Sequence, residues 1–581
     1  MNGAYKLLEE LVGYEQFTPD TYIYNVCENL SLPSLDYYEN PDIPVVLGGY
    51  GSVYSTADRA DVNRMGMLLN TQDMFIETDE VYKTHNVCDI MDFVTNKGDI
   101  TKAKTWSGTT VNLSGNYPEN NGLTYYGGKT TGFKVGWFSV FGYKDTDING
   151  VDKNGNIEYG NPLKVTSNSH KALNKMVQLC YSGGTKHTAS SHPVWEEMVE
   201  FGAQRVASII INDKSGMKVL QFTAEDNTRY CQCSACLDWY TYYSQGDLDM
   251  NPTNSVFKYE GFMGLQLRFV NAMAKRVAQL LPANKQDVKI ATFCYSKYTE
   301  APCKKSGNTY VPIDDAVICP DNVLIYLAPN MDYTEDFSNT SNTTNQKMLQ
   351  ILDALDVICD NFGAWLYQDT YQNYFIPEDN FYAYKGIYSK LAEMGCQWIF
   401  HQGKQTNTLK STAFCELKLY MNSVMAFDTS LDSQAVIDRF FNGYFGAAST
   451  DMKKYFNELN AHLAPISIGS TSCTAENFPK DKLKTWLGYC DAAIKDLASL
   501  KKTDSARYKL LVNNVECEKL WIEFMLIYLY SDYSFYSGPA SLTEAQVYFE
   551  ERCYNIGVRT PYQHNYINIT DGAPDAFWKD F

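Results

Sequence analysis

Between about residues 43 and 403 the chain alternates short β-rich apolar runs with longer stretches of helical periodicity. The runs are PVVLGGY (44–50), HNVCDIM (85–91), MVQLCYS (176–182) and MKVLQFT (217–223), followed by VKIATFCY (288–295), NVLIYLA (322–328), GAWLY (363–367) and QWIFHQ (397–402). Most are continuous rather than alternating, the pattern of parallel strands covered on both faces. Helical spacing fills 192–210, 261–281, 345–358, 381–394 and 413–427. The first of these follows a Ser pair with Pro193 near its first turn, and the second stops at Pro282. Eight strand–helix units are the arithmetic of a (β/α)8 TIM barrel over residues 41–428.

Outside that alternation the pattern changes twice. Residues 92–172 are rich in Gly, Asn, Thr and Tyr and too long for an ordinary loop, so they are expected to form a barrel-mouth insertion with short strands of its own. It would be a cleft wall or a plain decoration. After residue 430 the strand signal fades, and 429–581 reads as a C-terminal α-helical region. Residues 1–40 read as one helix, a turn at Thr18–Pro19–Asp20 and an extended piece, too short to fold alone. The fold class is therefore α/β, a barrel with a truncated N-terminal α/β piece and a helical C-terminal region.

At 581 residues several domains are expected, and an apolar fraction of 45% excludes global disorder. No apolar run approaches the length of a membrane span, and the first twenty residues lack the pattern of a signal peptide. The balance of 68 acids against 49 bases gives a formal charge of −19, which argues against nucleic acid or an anionic membrane surface as partner. A neutral carbohydrate fits better, and the 44 tyrosines and 9 tryptophans offer faces for sugar rings, although most must be packing residues. No cofactor motif is present.

The densest chemistry lies in Lys218–Cys236, KVLQFTAEDNTRYCQCSAC, where a β-rich run stops at Glu225 and Asp226 and three cysteines follow. A strand ending in acids is how a parallel barrel presents catalytic groups at its mouth. Adjacent residues on a strand face opposite ways, so the two acids would not both meet the substrate. Alternatively one caps the next turn and the other pairs with Arg229. Cys180, Cys231, Cys233 and Cys236 offer a structural zinc site or disulfides, either of which outranks a catalytic metal. Cys303 and Cys319 bracket a polar excursion that a disulfide would pinch.

In this order of elements the chain resembles the bacterial domain of unknown function 4838 family, which is glycoside hydrolase-like. Its architecture is similar to that of the family 67 α-glucuronidases and family 20 β-hexosaminidases. The resemblance rests on QLCYS (178–182), AEDNTRYCQCSAC (224–236), LRFVNAMAKRVA, ATFCYSKYTEAP, the Trp365…Asn373-Tyr374…Pro377 spacing, IFHQG and IDRFFNGYFG, in sequence order. It implies a secreted or surface glycan-acting protein, with residues 1–40 the end of a larger α/β domain and a signal peptide lost upstream. It also exposes departures. Leu366 stands where the family usually has Asp, and His401 where it usually has Glu.

The resemblance makes Asp226 the candidate acid, with Glu225 beside it. A glycosidase needs a second carboxyl, which Asp369, Asp332 or Glu416 would supply, Asp369 being placed to stand in for the missing Asp. Tyr295, Trp365, Tyr367 and Tyr371 lie at strand ends as candidate sugar-stacking residues, with His401 and Gln402 as polar contacts. A glycan-binding protein that has lost its acids is the rival reading.

Overall fold

The computed structural model describes residues 7–9, 11–18, 20–24, 41–47, 87–91, 102–104, 110–112, 179–183, 185–214, 216–224, 234–245, 261–295, 299–367, 369–403, 410–466, 472–562, 566–569 and 573–579. Six strands recur along them: β1 Val45–Leu47, β2 Val219–Gln221, β3 Lys289–Cys294, β4 Val323–Leu327, β5 Phe362–Tyr367 and β6 Cys396–Gln402. Their order is β1-β6-β5-β4-β3-β2, a parallel half-barrel sheet. The β2–β3, β3–β4, β4–β5 and β6–β1 ladders are all parallel. All five residues of β4 are buried, as its unbroken apolar run requires when both faces are covered.

The chain divides into two compact units, one of residues 71–330 with 347–364 and the other of residues 1–70, 331–346 and 365–581. In the first, α1 (Pro193–Asn212), α2 (Ser234–Tyr243) and α3 (Phe262–Leu280) accompany β2, β3 and β4. Gln266 on α3 donates to Thr292 Oγ1 at 2.6 Å and to the Phe293 carbonyl at 3.1 Å, seating the helix on β3. Arg276 on α3 pairs with Glu200 on α1 at 2.7 Å.

The second unit holds β1, β6 and the last half of β5. Its helices are α4 Tyr384–Glu393, α5 Cys415–Phe427, α6 Ser433–Tyr444, α7 Ser449–Leu463, α8 Lys480–Asp496, α9 Ser505–Tyr530 and α10 Leu542–Ile556. Helices α6–α10 lie within the stretch after residue 430 that carried helical periodicity. Helix α9 is the axis of this region, with Trp521 fully buried and stacked on Tyr455.

The predicted turn at Thr18–Asp20 is a hairpin: Glu15–Gln16 pairs antiparallel with Tyr22–Ile23, and Thr21 N–H donates to the Thr18 carbonyl at 3.2 Å. Its Phe17 is buried against Tyr420 and Phe440. A Cβ placed on Gly443 would lie 2.0 Å from the Phe17 ring, so only glycine lets the ring approach α6 this closely. Gly443→Ala is expected to cost about 1–3 kcal/mol of stability by overpacking. The double variant with Phe17→Leu should recover part of that loss in urea titrations; no recovery would place the cost elsewhere.

One of the eight predicted strands is corrected, and another lies partly outside the described residues. Within 85–91, Val87–Ile90 is a turn of helix whose buried Val87, Ile90 and Met91 follow helical spacing. Of the run 176–182 the described residues begin at Leu179, which makes a bridge, and Tyr181–Gly183 is a turn closed by Gly183 N–H on the Cys180 carbonyl at 3.0 Å. Helix α2 occupies sequence that carried only cysteine signals in the pattern. In the 92–172 insertion the described residues form one antiparallel pair, Lys102–Lys104 with Thr110–Asn112. Among the described residues no helix is long and apolar enough to cross a membrane.

Cys303 and Cys319, which a disulfide could have joined across the excursion, are both free thiols. Cys303 Sγ donates to the Ala354 carbonyl at 3.3 Å, whereas Cys319 sits against Cys359, its amide bonded to the Ile358 carbonyl at 2.8 Å. The excursion is instead a two-stranded hairpin, Cys303–Ser306 with Thr309–Pro312, held by its own ladder.

Candidate functional site

The C-terminal ends of β5 and β6 in the second unit bring several predicted residues together. Trp365 Nε1 donates to Gln402 Oε1 at 3.0 Å, and the Trp365 ring packs on Phe400 at 4.4 Å. This bond fixes both side chains before any ligand arrives. Tyr367 lies edge-on to Tyr333 at 6.1 Å, while Tyr371 in the following loop is exposed. Of the four aromatics, Tyr371 offers the most free surface. Tyr295, in the other unit, is half-buried against Phe293.

Asp369 follows β5 by two residues and is buried. It forms an ion pair with Lys418 of α5 at 2.7 Å, with the two side chains 1% and 0% exposed. Burial alone pulls a lysine pKa down, but Asp369 and Glu378 outweigh it, so the Lys418 pKa rises and the ammonium persists. Lys418 was not singled out from the sequence. A lysine inside the apolar stretch CELKLYMNSVMAF is itself a signal of buried pairing.

His401 is 2% exposed near the end of β6. Tyr388 of α4 donates to Asn422 Oδ1 of α5 at 2.6 Å and lies 2.8 Å from His401 Nε2. With the Tyr388 proton committed to Asn422, Nε2–H of His401 donates to the phenolic oxygen, an assignment that follows from the network. Burial lowers the His401 pKa to about 3, against an opposing pull from Asp369. The ring is neutral at physiological pH and has no proton to give as a general acid.

Among the described residues, a carboxyl raised toward neutrality is one that the sequence did not single out. Asp379, half-buried in the loop after β5, has its pKa raised to about 6 by burial, against the pull of Lys418. A carboxylic acid still partly protonated near neutral pH is the state that a leaving-group oxygen requires. The neighbouring Glu378 accepts from the Thr370 amide and so pins the loop. The Glu378–Asp379 pair stands just after Pro377 of the motif spacing, a signal that was available.

Other candidates have structural tasks. Asp332 accepts from Thr334 N at 3.0 Å and from Asn342 Nδ2 at 3.0 Å, organising its own turn. Glu416 is buried and accepts from the Ser411 amide at 3.0 Å. That bond steadies a turn in which Ala413 and Phe414 both have positive φ, and Glu518 accepts from the Phe414 amide at 2.8 Å. Leu366 is buried, as an apolar strand residue should be. Glu225, Asp226, Arg229, Cys231 and Cys233 lie outside the described residues. Cys180 and Cys236 are both buried.

Residues 196–457 match the model of the family described as Domain of unknown function (DUF4838). That is the family the sequence motifs resemble, and the matched span runs from α1 through α7. No curated protein matches the chain. Among solved structures, a GH138 enzyme targeting pectin rhamnogalacturonan II is similar over 70% of this chain at 10% identity with a TM-score of 0.26. The chain spans 58% of that enzyme's length.

Proposed function

We propose that this chain is a glycoside hydrolase acting on a poly- or oligosaccharide by carboxylate acid/base catalysis, on a complete (β/α)8 barrel and outside the cell. The observation that carries the reading is Asp379, a half-buried acid with its pKa raised to about 6 in a loop that follows a parallel strand. Loops at the C-terminal ends of parallel strands are where such folds place their chemistry. The exposed Tyr371, in the loop after β5, supplies sugar-facing surface, and the buried Trp365–Gln402 pair braces the ends of β5 and β6. Asp369, locked to Lys418, serves better to set the local charge than to exchange protons; Asp226 and Glu225, which follow β2 in the sequence, lie outside the described residues and are tested on their own.

A screen of chromogenic glycosides and plant and bacterial polysaccharides tests this. Asp379→Asn is expected to lower kcat by about 10²–10⁴-fold, the usual worth of a general acid. An unchanged rate removes Asp379 from the chemistry. Asp226→Asn, assayed separately, decides the carboxyl chosen from the sequence.

A second reading, a glycan-binding protein without turnover, is favoured by one observation. The two positions where the family usually has acids hold the buried Leu366 and a neutral His401. Saturable binding of an oligosaccharide with no product after prolonged incubation would select it.

A further inference from the structure

In the unit formed by residues 71–330 and 347–364, two buried cysteines face each other across 56 residues of sequence. Cys180 Sγ and Cys236 Sγ are 3.7 Å apart, and neither residue is exposed. A tetrahedral zinc site with Zn–S bonds of about 2.3 Å has an S···S edge of about 3.8 Å. A disulfide would need about 2.05 Å. The spacing is that of a thiol–thiol hydrogen bond and equally that of two corners around one ion.

The surroundings suit thiolates. Ser182 Oγ lies 3.1 Å from Cys236 Sγ and 3.5 Å from Cys180 Sγ, so its hydroxyl is in reach of either sulfur. Cys236 sits in the first turn of α2, where backbone N–H groups and the helix dipole favour a negative sulfur.

The two segments are also locked in place. Asp238 on α2 accepts from the His187 amide at 2.8 Å and meets His187 Nδ1 at 2.6 Å. Trp239 Nε1 donates to the Thr185 carbonyl at 2.8 Å. Cys236, Asp238 and Trp239 thus moor the start of α2 to the 180–187 turn, and the sulfur pair is held by neighbours on both sides. Preorganisation of this kind is what a structural metal site needs from the groups around its ligands.

We propose that Cys180 and Cys236 are two ligands of a structural zinc ion that ties α2 to the turn at 180–187. Each thiol releases its proton to solvent on binding, so the ion neutralises two buried thiolates that would otherwise be costly. Cys180, Cys236 and Ser182 alone carry the assignment. Cys231 and Cys233 precede Cys236 at C-x-C-x-x-C spacing in the sequence and enter only as arms of the test.

The experiment is elemental analysis of the full, untagged chain after exhaustive dialysis without chelator. The expected result is one zinc per chain, with loss of most of it in Cys180→Ser and in Cys236→Ser. Cys490→Ser, a buried cysteine of the other unit, should keep its zinc. Cys231→Ser and Cys233→Ser report which further donors complete the site. If the serine variants fail to fold, cobalt substitution of the wild-type chain still decides, through the thiolate-to-metal charge-transfer band of tetrahedral cobalt. Folded wild-type protein without zinc, with residues 180 and 236 recovered either as free thiols or as a linked peptide, would overturn the proposal. So would zinc retained in full by both serine variants.

Discussion

Replacing Lys418 with Met is expected to cost about 3–5 kcal/mol of unfolding free energy, the penalty for leaving one member of a buried ion pair uncompensated. Lys418 Nζ and Asp369 Oδ1 are 2.7 Å apart with both side chains sealed from water. The ammonium also lies 5.6 Å over the ring of Phe381, so the methionine would keep much of the packing and lose the charge. The double variant Lys418→Met/Asp369→Leu should regain most of the loss, because an apolar pair of similar volume often matches a buried salt bridge in stability. Urea unfolding at neutral pH measures both. A single-variant loss below about 1 kcal/mol would mean that Asp369 reaches water or another donor once Lys418 is gone. The pH dependence has a definite sign. Since the Lys418 pKa is raised on folding, its contribution is complete below the unfolded lysine value of about 10.4 and is lost only as pH rises through the folded value.

The periodicity of the chain revealed much of this architecture, and its failures have physical causes. Strands β3, β4, β5 and β6 fall within a residue or two of their predicted runs, because the apolar centre of each is buried. The run at 85–91 misled because three apolar residues at helical spacing look like a strand when the segment is short. Helix α10 falls within the region read as helical, with Ser541 accepting from Glu544 N–H at its start and Gly557 in the left-handed region at its end.

Legibility of the site was different. The motif containing Asp226 was the loudest signal in the sequence, yet the perturbed groups of the site described above, Asp379, His401 and Lys418, lie in the loop after β5, on β6 and on α5. Lys418, Tyr388 and Asn422 are interior residues of amphipathic helices, and only tertiary contact reveals that they hold Asp369 and His401. Asp379 was hidden for the converse reason. An acid in a loop looks solvated until the fold buries it, and only burial raises its pKa.

His401 is expected to make the protein acid-sensitive. Its pKa falls from an ordinary histidine value to about 3 on folding, so the stability that its neutral form contributes is present above about pH 6.5 and is withdrawn as pH falls toward 3. Within that window the slope from this one residue is about 1.4 kcal/mol per pH unit. His401→Gln keeps a polar side chain beside Tyr388 and removes the titration. Unfolding free energies of the two proteins between about pH 7.5 and pH 4 should therefore diverge, the wild type losing more. Asp379 works in the opposite sense: its raised pKa favours the folded state as it takes up a proton below about pH 6, so the comparison is cleanest in an Asp379→Asn background. A constant difference between the two curves would show that His401 titrates as it does in the unfolded chain. The cause of the expected sensitivity is local. With Nε2–H given to Tyr388, an added proton must go to Nδ1, which has no hydrogen-bond partner among the described residues. The resulting imidazolium would be buried, with Asp369 already committed to Lys418. The arrangement that keeps His401 neutral and fixed at the end of β6 is thus the same one that acid must break.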